Sequence, residues 1–282
     1  MESDDPRARI DPERYYDEYG HDEWDRLERT KSTFEFQNTI DYLESYLPAE
    51  GHVLDAGGAA GRYAVWLAER GYRVTLADIS GMQRELAREK ARERDFDGSI
   101  EVLGGDIRDL PFVESTFDAT LCLGGPLSHV IDDTERNGAM RELRRVTNPG
   151  SPVFVSVMGF IAVVQNLIKV APEFPQGVAQ LPDLVETGTY SPELLDRHGI
   201  EDPSFVECHF FRADELEAAL ERNGLKVECI AGLEGPASNF DAEIDAADGD
   251  QQERIEGVVR KLREDRTIAD ISNHILAVSR VR

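Results

Sequence analysis

From residue 52 the chain alternates short, almost continuously apolar runs with longer stretches whose apolar positions recur every three or four residues. "HVLDA", "RVTLAD", "IEVLGGD", "FDATLCL" and "PVFVSVMGF" are the short runs in chain order. Runs of that kind are strands buried on both faces. Between them, "AGRYAVWLAER" puts Ala64, Leu67 and Ala68 on one helical face and stops at Gly71. "SGMQRELAREKARER" is a second helix. "DDTERNGAMRELRRVTNPG" is a third, with Ala139, Leu143 and Val146 inward and a Pro-Gly stop. Strand–helix alternation predicts an α/β fold with a mostly parallel sheet covered on both faces.

The flanks differ. Residues 1–50 are polar and aromatic-rich, and "RYYDEYGHDEWDRL" and "FEFQNTIDYLESYL" read as amphipathic helices. The second carries Phe36, Ile40, Leu43 and Leu47 at helical spacing, and Pro48 and Gly51 end it. After the fifth strand the rhythm fails over about 160–210, where five prolines lie between 172 and 203. This reads as an insertion, part helix and part loop. Alternation resumes with the helix "FRADELEAALERNGL", a sixth strand "KVECIAGL" and a last strand "NHILAVSRV". Residues 242–250 are expected to be a mobile loop before a charged helix at 254–266. The organisation is thus an N-terminal helical lid segment, 1–50, and one domain, 51–282, with an insertion.

Charge changes the picture of the surface. The chain has 56 acidic and 31 basic residues, a net charge of -25, spread along its whole length. Such a surface suits concentrated salt, where screening removes self-repulsion. It offers no basic footprint, so no nucleic-acid partner is expected. Cys122, Cys208 and Cys229 are odd in number and far apart, and Cys122 and Cys229 read as small buried residues in a reducing compartment. "MESDDPRARIDPERYY" has no apolar leader, and "FIAVVQNLIKV" is too short to span a bilayer. The expectation is a soluble, cytoplasmic protein with no membrane partner.

Candidate chemistry gathers at strand ends. In "VLDAGGAAG", glycines after a strand let the backbone turn tightly and approach a ligand. No Gly-Lys-Ser/Thr follows, which removes a phosphate-cradling P-loop. Asp55 precedes the first glycine by two residues. A carboxylate there would repel a pyrophosphate and suits a cofactor with an ammonium end. Asp78 ends the second strand, 23 residues on, where a carboxylate can accept from both ribose hydroxyls, with Ile79 beside it for a base. Asp106, at the end of the third, could accept from an exocyclic amine. Three acidic strand tips on one sheet edge decide the reading.

Those motifs resemble the class I S-adenosylmethionine-dependent methyltransferases. "VLDAGGAAG" resembles their Asp-x-Gly-x-Gly-x-Gly motif, "ADIS" the acidic second-strand motif and "GDIRDLPF" the adenine-site motif. "FDATLCLGGPLSHV" resembles the fourth-strand motif and "ELRRVTNPG" the turn before strand five. The likeness covers about residues 50–158, and 212–280 in order of elements only. It implies a Rossmann-like, doubly wound, seven-stranded sheet and S-adenosyl-L-methionine as cofactor, while the apolar and aromatic content of the segments outside the sheet suggests a small-molecule methyl acceptor. By the resemblance Asp55 and Gly57 would take the methionine ammonium through water or backbone carbonyl. Gly61 would allow close helix packing, Asp78 would hold the ribose, Asp106 with Ile107 the adenine. Leu123 and Gly124 would lie beside the sulfonium, and Ala56, Gly58, Ile79 and Tyr15 complete the cofactor set. The family's middle glycine is Ala59 here. A positive φ at that alanine would lower cofactor affinity.

Methyl transfer from a sulfonium chiefly needs alignment, and a base only for acidic acceptors. His129 is the candidate base, ahead of His209 and His21. No metal is expected. Tyr15, Tyr16 and Tyr19 would fold over the cofactor, and Phe160, Gln165, Phe174, Tyr190 and Phe210 of the insertion are candidate walls for the acceptor. A non-catalytic cofactor-binding regulator and a nicotinamide oxidoreductase stand as alternatives.

Overall fold

A computed structural model describes residues 10–20, 22–26, 30–201, 203 and 205–282. Its sheet is built from the apolar runs. Strands β1 (His52–Ala56), β2 (Arg73–Asp78), β3 (Ile100–Gly104), β4 (Ala119–Cys122) and β5 (Pro152–Met158) run parallel. A two-residue ribbon, β6 (Thr189–Tyr190) with β7 (Cys208–His209), stands apart. Strands β8 (Leu225–Gly232) and β9 (His274–Val281) complete seven strands in the order β3-β2-β1-β4-β5-β9-β8. β9 lies antiparallel to both β5 and β8. The order reverses between β1 and β4, and open α/β sheets bind ligands outside the carboxyl ends at such a point.

Before the sheet come α1 (Pro12–Tyr19), α2 (Asp22–Arg26) and α3 (Thr30–Tyr46). Ile40, Tyr42 and Leu43 of α3 are buried in the same cluster as Val53, Leu76 and Leu121, while Phe36 and Leu47 are only partly covered. α3 is therefore part of the main core, while α1 packs on α2 and on the helix that follows β2. α4 (Arg62–Glu69) follows β1 and buries Tyr63 to Ala68 without a break, because α3 covers the side turned from the sheet. α5 (Gly81–Glu93) and α6 (Asp133–Val146) follow β2 and β4. Ala139, Leu143 and Val146 are fully buried, as their spacing requires. Burial of Leu143 or of Val146 contributes roughly 1.5–3 kcal/mol.

The insertion is more helical than its prolines imply: α7 (Phe160–Lys169), α8 (Pro175–Thr187) and α9 (Pro192–His198). Pro175 and Pro192 sit at the starts of their helices, where no N–H is needed, and only Pro182 lies inside one. α10 (Ala213–Arg222) precedes β8. The expected loop at 242–250 is instead folded. α11 (Asp241–Asp245) packs Ile244 under Phe34, and α12 (Gly249–Leu262) begins five residues before the expected charged helix. The acidic composition hid a reciprocal cap: Asp248 Oδ1 accepts from Gln251 N at 2.9 Å, and Gln251 Oε1 from Asp248 N at 3.0 Å. α13 (Arg266–Asp270) leads into β9. Cys122 and Cys208 are buried, Cys229 half-buried, and all three are free thiols. Among the described residues no helix is long and apolar enough to cross a membrane.

The junction of β5 and α7 is tightly set. Gly159 N donates to Asn273 O at 2.8 Å, and a Cβ on Gly159 would lie 2.0 Å from Ser272 O, a backbone atom. Gly159→Ala is expected to lower the urea midpoint by an amount worth about 1–3 kcal/mol, the usual cost of overpacking. Gly249→Ala, where nothing lies within 4 Å of the added methyl, should leave the midpoint unchanged or higher. Equal midpoints for Gly159→Ala and wild type would show that the junction yields.

Candidate active site

The turn after β1 is held by its own backbone and by one carboxylate. Gly57 N donates to Ala77 O at 2.7 Å, and Ala59 N donates to Asp78 Oδ2 at 2.9 Å. Asp78 Oδ1 accepts from Ser80 N at 2.8 Å. A Cβ on Gly57 would lie 2.5 Å from Pro126 Cγ, and one on Gly58 would lie 2.6 Å from Asp55 Cγ. Both glycines are needed for close approach. Gly61, at φ 83°, would bring a Cβ to 3.2 Å from Ala87 Cβ, so its role is helix packing. Ala59 has φ 43°, the left-handed region. The expected penalty of an alanine at the family's glycine position is therefore present in the backbone.

These elements line a cavity of about 250 Å³. Gly57, Gly58, Asp78, Ile79, Asp106, Ile107, Leu123, Gly124 and His129 all line it. Four expected residues do not. Asp55 is 1% exposed and lies beneath the turn, against Gly58, so it faces the cavity only through the loop backbone. Ala56 is buried within β1, and Gly61 faces Ala87. Tyr15 stacks on Tyr19 at 5.7 Å and lines a second cavity instead. Its neighbour Tyr16 is the α1 tyrosine that lines the first cavity, as Tyr63 of α4 also does. Three tyrosines within five residues advertise an aromatic patch, but only the docked angle of α1 tells which one enters.

The carboxylates are in different electrostatic states. Burial pushes Asp55 up to about 7, with the nearby Asp78 adding to the rise, and its Oδ2 has no hydrogen-bond partner. Asp78 is also raised by burial, opposed by the Ser80 and Ala59 N–H groups. Asp106 follows β3 in a loop rather than ending the strand. Burial acts to raise it, but Arg108 donates to both its oxygens at 2.6 to 3.0 Å and holds it below the ordinary range. Arg108 also binds Glu135 Oε2 at 2.7 Å. An arginine two residues after the aspartate was the overlooked signal.

His129 lies in a single 3-10 turn after β4, Pro126–His129. Its Nδ1 is 2.8 Å from Glu207 O, a carbonyl that can only accept, so Nδ1 carries the hydrogen. Nε2 then accepts from Tyr16 OH at 3.2 Å. Burial pushes the imidazole down to about 4, the bond to Glu207 opposing, so it is neutral near neutral pH. His129 therefore lines the cavity with its Nε2 lone pair engaged by Tyr16. His209 is committed elsewhere, to Glu215 Oε1 at 2.6 Å and Thr189 Oγ1 at 2.9 Å. His21 lies outside the described residues.

The second cavity, about 570 Å³, adjoins the first at Tyr16, Glu23 and Gly124. Phe174, Tyr190 and Phe210 of the insertion line it, while Phe160 and Gln165 do not. α1 roofs the meeting point. It is fastened by Gln83 Nε2, which donates to Tyr16 O and Gly20 O at 2.9 Å each, and by Asp17, which accepts from Ser80 Oγ and Met82 N.

Comparison with known proteins bears on this site. Residues 53–150 match the family model described as a methyltransferase domain. Methyltransferase GfsG of Streptomyces halstedii is 30% identical over 54% of this chain and 53% of its own length. The ubiquinone/menaquinone biosynthesis C-methyltransferase UbiE of Salmonella arizonae is 34% identical over 62% of each chain. The matched stretch is thus between about half and under two thirds of these relatives' length. Among solved structures, an S-adenosylmethionine-dependent methyltransferase from Methanosarcina mazei superposes with TM-score 0.58 at 20% identity, covering 85% of this chain and 96% of its own. Geranyl diphosphate C-methyltransferase from Streptomyces coelicolor, solved with Mg2+, geranyl diphosphate and S-adenosyl-L-homocysteine, gives 0.56 at 17%, covering 87% and 77%. The structural likenesses show the fold.

Two outcomes follow from the turn. Replacing Ala59 by glycine removes a left-handed penalty of about 1–2 kcal/mol and adds glycine's entropic cost of about 0.5–1. Ala59→Gly is therefore expected to gain about 0.5–1 kcal/mol in urea unfolding. A loss would show that the turn is unstrained. Asp55 gives a pH signature. Its folded-state value, raised to about 7, means that the folded protein binds a proton the unfolded chain releases near 4. Stability from this site is present below pH 4 and is lost as pH rises to 7. Asp55→Asn should flatten that loss, so the variant gains on wild type between pH 5 and 8 by a few kcal/mol in order of magnitude. Parallel stability–pH curves would rule the shift out.

Proposed function

We propose, on the match of residues 53–150 to a methyltransferase domain, that this chain is a class I S-adenosylmethionine-dependent methyltransferase that transfers a methyl group to a small organic acceptor held in the second cavity. The observation that carries this is the meeting of two cavities at Gly124 and Tyr16, one lined by the ends of β1 to β4, the other by the insertion.

The first cavity suits S-adenosylmethionine. Gly57 and Gly58 let the turn lie close against Pro126 and Asp55, and Asp55 beneath it, with one oxygen lacking a hydrogen-bond partner, places a carboxyl group under the turn. Asp78 has acceptor capacity left for the ribose after its two backbone bonds, and Ile79 and Ile107 offer apolar faces to the adenine. When bound, the cofactor supplies an activated methyl whose leaving group needs no further help. The protein's part is to align and to exclude water, and alignment of this kind is worth roughly 7–11 kcal/mol. α1, clamped over the junction, supplies that enclosure. Where the acceptor atom carries a proton, the path out runs from that atom to Tyr16 Oη, whose own proton passes to His129 Nε2. The Glu207 carbonyl keeps the other nitrogen protonated, so the receiving lone pair stays aimed at Tyr16.

The apolar and aromatic walls favour a small organic acceptor over a nucleic acid. A cytoplasmic setting and an acidic surface suited to salt complete the reading, supported by the charge of -25.

Calorimetric titration with S-adenosylhomocysteine and with NAD tests the cofactor. Binding of the first and not the second is expected, and Asp78→Ala should weaken it by about 1–3 kcal/mol, the cost of orphaned hydrogen-bonding groups. If Asp78→Ala titrates like wild type, Asp78 does not hold the cofactor.

A further inference from the structure

The second cavity has a chemical polarity that singles out one class of acceptor. Its body is apolar and aromatic, with Tyr15, Tyr19, Tyr190, Phe205 and Phe210 among its walls. Among the described residues that line it there is no lysine and no arginine, but there are two carboxylates, Glu23 and Glu234. Lys169, on α7 beside the cavity, donates to the Asn239 carbonyl and lies over the Phe240 ring. These acids are not part of the chain's acidic surface: Glu234 is 2% exposed and Glu23 9%. Glu234, a buried acid in a chamber whose described lining holds no lysine or arginine, favours an ammonium over carboxylates and phosphates. Aromatic faces add to that attraction.

Topology places the carboxylate away from the methyl. Gly124 follows β4, and Met158, which also lines the cavity, ends β5 opposite His274 at the start of β9. Glu234 follows β8, whose Gly232 pairs with Ile275. Along the sheet edge His274 is two strands from Gly124 and Glu234 is three. At about 4.8 Å per strand that is roughly 10–14 Å. Glu234 is fixed in place. Its Oε2 accepts from Ser272 Oγ and His274 N, both at 2.8 Å, and its Oε1 is 2.6 Å from His274 Nδ1. Glu35, 1% exposed, stands behind the pair, its Oε2 3.7 Å from His274 Nδ1.

Resting on the reading of the second cavity as the acceptor site, we propose that the acceptor is an amine. Its ammonium is held at the Glu234–His274 end, its apolar or aromatic body crosses the chamber, and the methylated atom lies at the Gly124–Tyr16 end.

The test is calorimetry on the full chain saturated with S-adenosylhomocysteine, titrated with phenylbutylamine, phenylbutanol and phenylbutyrate. The amine is expected to bind at least tenfold more tightly than the alcohol, and the carboxylate not at all. Glu234→Gln should erase the preference for the amine while leaving the S-adenosylhomocysteine titration unchanged. If that variant does not fold, Glu234→Asp, which keeps the charge but draws it back from the chamber, is expected to reduce the preference severalfold. Equal binding of amine and alcohol, binding of the carboxylate, or an undiminished preference in a folded Glu234→Gln protein overturns the proposal. Should wild type fail to bind S-adenosylhomocysteine, the cofactor reading falls, and the same three titrations of the free protein still decide the acceptor class.

Discussion

One buried carboxylate fixes the shape on which the candidate site depends. Asp78 accepts from Ala59 N on one side and Ser80 N on the other, so it ties the turn after β1 to the start of α5. Burial raises its proton affinity, and the two backbone donors oppose that rise. A buried anion is tolerated only where donors surround it. The same geometry holds Ala59 at a positive φ, a strain the tie sustains. The carboxylate proposed to hold the ribose is thus already employed in shaping the cavity floor.

The roof is attached to the same place. Ser80, which caps α5, donates its hydroxyl to Asp17 of α1, and Gln83 one turn on holds the backbone at Tyr16 and Gly20. Floor and roof share one helix start. Tyr16 hangs from that roof between the two cavities, with His129 behind it. The proposed proton path and the proposed enclosure therefore depend on how α1 is seated, and cofactor and acceptor chambers are coupled through one tyrosine.

Much of this was legible in the chain. Strands that are apolar throughout and helices with Ala139, Leu143 and Val146 at turn spacing leave few alternatives, and the seven-stranded sheet formed from the expected runs. The motif positions Gly57, Asp78, Asp106 and Gly124 fell on one cavity because residues at consecutive carboxyl ends of parallel strands must. What the chain hid were orientations. That Asp55 points under its own loop, that Tyr16 rather than Tyr15 turns inward, and that Arg108 closes on Asp106 all depend on packing angles that no spacing encodes. The acidic run at 242–250 misled for a different reason. Composition argued for a solvated loop, while a local reciprocal cap at Asp248 and one buried isoleucine were enough to fold it.

The antiparallel placement of β9 has a consequence for biogenesis. β5 pairs with a strand that begins more than a hundred residues later, so the middle of the sheet stays open while the insertion and β8 are made. As the chain emerges from the ribosome, β5 presents an unsatisfied apolar edge until the eight-residue β9 arrives to seal it. Such a long-range closure slows assembly and leaves a sticky intermediate, which makes the interval between the making of β5 and that of β9 the vulnerable stage in this protein's life.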